Sequence, residues 1–64
     1  MKLTQISGDC GKDDCPAVYV TDRDSAVVQG TLITEALSVA AGDGEAFVEI
    51  PLSVLREASG AIGG

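Results

Sequence analysis

Two cysteines, Cys10 and Cys15, frame the run Gly-Lys-Asp-Asp, and Asp9 precedes them, so a pair of thiols stands among three carboxylates, Asp9, Asp13 and Asp14. Thiols at this spacing can be nucleophiles, metal ligands, a redox pair or inert side chains. Nucleophilic work needs the thiolate, which negative neighbours disfavour, and Lys12 alone offsets little of their field. The chain has no histidine, so it lacks the commonest general base and the commonest nitrogen ligand. Structural zinc takes four ligands, usually as two close pairs, whereas here there is one Cys-x4-Cys pair; acids, or the cysteines of a second copy, would have to complete the set. The regular ligand spacing and distal glutamate of a calcium loop are absent. A disulfide across the short loop is geometrically allowed at modest gain in stability, and in a reducing compartment it would be redox-responsive. Cys10 and Cys15 therefore stand as candidate metal or redox residues beside the reading of two inert thiols. No catalytic residue and no cofactor is nominated.

A second feature is the mixed-charge triplet Asp22-Arg23-Asp24, between two β-branched runs. It reads first as solvated turn chemistry, with a carboxylate bonding the turn backbone, and a tip of mixed charge can also touch a partner. Tyr19, Asp13, Asp14, Asp22, Arg23 and Asp24 are the partner-binding candidates. No Gly-x-Gly-x-x-Gly or phosphate-cradling loop occurs, which leaves nucleotide binding unsupported.

These residues must be positioned by a small fold. The 64 residues leave room for one domain, residues 1–64, with a thin core. The composition is globular, at 45% hydrophobic, but Tyr19 and Phe47 are the only large rings. Small branched side chains fill such a core, and a homodimer would supply the missing burial. Ten acids against four scattered bases give a net charge of -6, which repels phosphate backbones and suits a basic partner surface. Met1-Lys2-Leu3-Thr4-Gln5 lacks the apolar stretch of a secretory signal and no long apolar run follows, so the expected compartment is the cytoplasm, with no membrane partner.

Residues 2–7 alternate as a short edge strand, and residues 8–16, rich in Gly, Asp, Cys and Pro, read as an acidic loop. Residues 17–22 and 25–33 form the strongest pattern, an antiparallel hairpin with Val18 and Val20 on one face and Ala17, Tyr19 and Thr21 on the other. Gly30 interrupts its second strand, as at a bulge or a close backbone approach. Residues 34–42 carry capping and helix-forming residues and predict one or two helical turns. Asp43-Gly44 is a turn, and residues 45–50 alternate as a strand. Pro51 to Ser59 reads as an amphipathic helix whose apolar stripe, Leu52, Val54, Leu55 and Ala58, belongs to the core, stopped by Gly60 ahead of a flexible tail at 60–64. The expected fold is α+β: a small antiparallel sheet of three to four strands with a short C-terminal helix packed on one face.

The stretch Asp14-Cys-Pro-Ala-Val-Tyr-Val-Thr-Asp-Arg, followed by Val27-Val-Gln-Gly30 and Val48-Glu-Ile-Pro51, resembles a group of small uncharacterised actinobacterial proteins with a Cys-Pro-x-x-Tyr-x-Thr-Asp-Arg, Val-Val-Gln-Gly and Val-Glu-Ile-Pro pattern. The likeness spans roughly residues 10–58 and supports Cys15, Pro16, Tyr19, Asp22, Arg23, Gln29 and Gly30 as motif positions. Such proteins are often encoded beside helix-turn-helix regulators, which implies a regulatory partner; the group has no established activity to carry over. Its members often place glycine after the Asp-Arg pair, where this chain has Asp24. A more local likeness, over residues 46–58, is to the strand, proline and helix of AbrB-type swapped-hairpin transcription regulators, which are dimeric DNA binders. Those proteins present arginines to DNA, and only Arg23 and Arg56 are at hand here.

The expected function is thus a non-enzymatic cytoplasmic protein-interaction module that modulates a DNA-binding regulator. The alternatives are an AbrB-like dimeric DNA binder and a small metal or redox module using Cys10 and Cys15.

Overall fold

The computed structural model describes residues 1–8 and 15–63. The segment 9–14, with Asp9, Cys10, Asp13 and Asp14, and the terminal Gly64 lie outside the described residues, and so does most of the expected acidic loop.

The fold is α+β. Three antiparallel strands, β1 (Leu3–Gly8), β2 (Ala17–Thr21) and β3 (Ala26–Gln29), form one sheet in the order β1-β2-β3. The β-branched runs on either side of Asp22-Arg23-Asp24 pair as the expected hairpin, with Val18 opposite Val28 and Val20 opposite Ala26. β1 is an edge strand and carries a bulge: its register steps from Gln5 opposite Tyr19 to Ser7 opposite Val18, leaving Ile6 without a partner. A bulge breaks the regular ladder and so blunts an edge against further pairing.

Gly30 ends the first sheet. The chain continues past it, as expected, but into a separate two-stranded sheet in which β4 (Thr31–Leu32) pairs antiparallel with β5 (Val48–Glu49). The expected strand over 45–50 is therefore reduced to two residues, lengthened only by the bond from the Ile33 amide to the Phe47 carbonyl at 3.0 Å. The helix expected over 34–42 is not formed. Its residues are exposed throughout, so no packed face offsets the cost of nucleating so short a helix.

The helix found among the described residues, α1 (Leu52–Ile62), follows Pro51 as expected but runs through Gly60 instead of stopping there. Its stop is Gly63, which takes the left-handed conformation at φ 81 and donates its amide to the Gly60 carbonyl at 3.1 Å. A residue without Cβ adopts that conformation at no steric cost. The supposed tail at 60–62 is thus the last turn of the helix.

α1 lies across β1 and β2. Val54 and Ala58, one turn apart, are buried with Val18, and Ile6 and Ile50 pack against them. Here the structure corrects the apolar stripe: Leu52 and Leu55, expected in the core, are exposed. Val20, on the same face as Val18, is only half-buried. The amide of Gly8 donates to Glu57 Oε1 at 3.1 Å, tying the end of β1 to the helix.

Candidate functional site

The β2–β3 turn is built by three bonds. The Thr21 amide donates to the Ser25 carbonyl at 2.9 Å, the Thr21 and Ser25 hydroxyls meet at 2.7 Å, and the Arg23 amide donates to Thr21 Oγ1 at 3.0 Å. Between Thr21 and Ser25 lies a three-residue loop whose last member, Asp24, is left-handed at φ 56. Three-residue hairpin loops place such a residue there, and aspartate is among the few side chains that tolerate it. Glycine would fit this position equally well.

Asp22, Arg23 and Asp24 are all exposed on this tip. Arg23 reaches back along the sheet edge, where its Nη2 donates to the Met1 sulfur at 3.2 Å. The two carboxylates are thereby presented on a turn whose backbone is already fixed. Tyr19 is not part of the tip: it is half-buried in mid-strand, and its hydroxyl donates to Gln29 Oε1 at 3.0 Å across to β3. This contact was not anticipated, although the diagonal placement of the two residues in the expected hairpin allows it.

Cys15 is disulfide-bonded, and the chain's other cysteine is Cys10. Of the readings left open for Cys15, the structure therefore takes the disulfide. Cys15 lines an open groove with Pro16, Gln29, Gly30, Thr31, Glu49 and Pro51, where the two sheets meet. Gly30 allows a close approach beside this groove; a Cβ there would stand 2.5 Å from the Glu49 carbonyl oxygen and 2.7 Å from Ile50 Cγ2. The close approach expected at Gly30 is real, and it joins the sheets. Among the described residues, no group of three or more His, Cys, Asp or Glu could hold a metal ion. Asp13 and Asp14, candidates for partner binding, lie outside the described residues, as does Cys10.

Among the described residues no helix is long and apolar enough to cross a membrane. No protein-family model matches the chain, and neither the curated proteins nor the solved structures contain a match to it.

Proposed function

We propose that this chain is a non-enzymatic cytoplasmic interaction module that docks the hairpin tip carrying Asp22 and Asp24 on a basic protein surface, such as that of a helix-turn-helix regulator. The observation that carries this reading is the fixed backbone of the tip, in which the Thr21–Ser25 bonds hold two exposed carboxylates in one arrangement. A preorganised turn loses little further freedom on binding, so more of its contact energy appears as affinity. A net charge of -6 steers such a module toward a positive surface and away from nucleic acid. Capture from the source cells with the wild-type chain and with Asp22→Asn/Asp24→Asn, at low and moderate salt, tests it. A DNA-binding protein retained by the wild type at low salt and lost with the double variant is the expected outcome. Equal capture by both chains, or a shift of a random DNA duplex by the chain alone, overturns it.

The disulfide at Cys15 favours a second reading, a redox-responsive contact surface. Reduction would then change what the chain captures without touching the hairpin tip.

A further inference from the structure

The helix covers only part of the sheet. α1 sits over β1 and β2, and Glu57 on its β1 flank bonds to Gly8. On the opposite flank are Leu55 and Ile62, seven residues apart and so in line along the helix, 52% and 62% exposed. Beside them the inner face of β3 is bare. Val28, the cross-strand partner of the core residue Val18, is 42% exposed, and Val20, Ala26 and Ile62 line a single hollow together with Thr21, Asp24 and Ser25. Between helix and strand this hollow is a largely apolar groove, and the exposed Leu55 and Val28 stand on the same two elements.

We propose that a second copy of this chain fills that groove, so that the protein is a homodimer joined through Leu55, Ile62 and the inner face of β3. The first support is area. The chain exposes 5055 Å², whereas a folded monomer of 6.5 kDa exposes about 3,800 Å². The excess of ~1,200 Å², to which the exposed segment 34–49 also contributes, exceeds the ~800 Å² that each partner gives up in an interface of standard size. Its radius of gyration, 12.7 Å against about 10.7 Å for a compact chain of this length, agrees. The second support is necessity: among the described residues the buried apolar side chains are Ala17, Val18, Val54 and Ala58, so the missing burial is needed for folding itself. Only an occupant present whenever the chain is present can supply it, and a second copy meets that condition. The third is charge. Copies at -6 repel each other, and they meet with least repulsion on a face where Asp24 is the one charged residue among those lining the hollow.

Sedimentation equilibrium over a concentration series at low and high salt is the test. The expected mass is twice that of the chain in the micromolar range, with tighter association at high salt as the like charges are screened. This is opposite in sign to docking of the hairpin tip on a basic partner, so the two readings fail separately. Leu55→Lys and the milder Val28→Thr each weaken dimerisation about tenfold or more, while Leu37→Lys, outside the groove, leaves it unchanged. The wild-type melting temperature also rises with chain concentration, which needs no variant. A single-chain mass at hundreds of micromolar, a concentration-independent melt, or wild-type association in both groove variants overturns the proposal.

Discussion

The Cα of Gly30 lies so close to the Glu49 backbone that a single added carbon would stand 2.5 Å from its carbonyl oxygen. This is the joint between the two sheets, and the neighbour that must give way is backbone. Gly30→Ala is therefore expected to cost about 1–3 kcal/mol, the range for forcing extra volume into a close-packed place. Urea unfolding checks it. An unchanged midpoint would mean that Gly30 and Glu49 do not approach each other as described.

At the hairpin tip the sign depends on the residue chosen. Asp24→Gly keeps the left-handed backbone and should change stability by a few tenths of a kcal/mol, whereas Asp24→Val places a β-branched residue at positive φ and should cost about 1–2 kcal/mol. Parallel thermal melts of the two variants give the comparison, and an equal loss in both would show that the carboxylate matters more than the backbone.

Val18 and Val20 share a face but not a burial. Val18, at 4% exposure, sits against Val54 and Ala58, so Val18→Asp should abolish the cooperative melt by leaving a charge unpaired in the core. Val20 opens onto the groove, so Val20→Asp should lower the melting midpoint and still leave a folded helix by circular dichroism.

The bond from Gly8 to Glu57 ties the first strand to the helix across the whole sequence. Glu57→Gln keeps an acceptor and should be near neutral; Glu57→Ala should lose about 0.5–1.5 kcal/mol. Amide exchange at Gly8 reports the difference directly, and protection at Gly8 that survives Glu57→Ala would rule the bond out.

Cys15 should show no reactive thiol until a reductant is added. Thiol labelling with and without reductant, read by mass at the peptide carrying Cys15, measures this. Labelling before reduction would contradict the disulfide.

What the sequence disclosed follows physical lines. The hairpin was legible because two β-branched runs flank a polar triplet, and Gly30 because an isolated glycine in a strand implies a close neighbour. Residues 34–42 misled because capping signals are local, whereas a helix that short stands only if a tertiary face receives Leu37 and Val39, both of which remain exposed. The helix end was misplaced for the converse reason. Gly60 weakens a helix by about 1 kcal/mol but does not stop it, and the residue that actually turns left-handed is Gly63. Periodicity marked Leu52 and Leu55 as apolar without showing that the side of the helix carrying Val54 and Ala58 is the one that meets the sheet. At the candidate site, Asp22 and Asp24 were legible as a charged turn. The Thr21–Ser25 bonds that fix it depend on hydroxyl positions no pattern reveals, and so does the bond of the Tyr19 hydroxyl to Gln29.

The core joins Ile6 and Val18 to Val54 and Ala58, partners separated by dozens of residues along the chain. During synthesis the three-stranded sheet would thus emerge with its inner face bare and wait, and it could be sealed only once the helix had followed it. Every nascent copy would pass through an interval in which Val18 and Val28 face solvent together on strands capable of pairing with a neighbour's. The crowding of ribosomes on one message would then decide whether that interval ends in productive assembly or in aggregation.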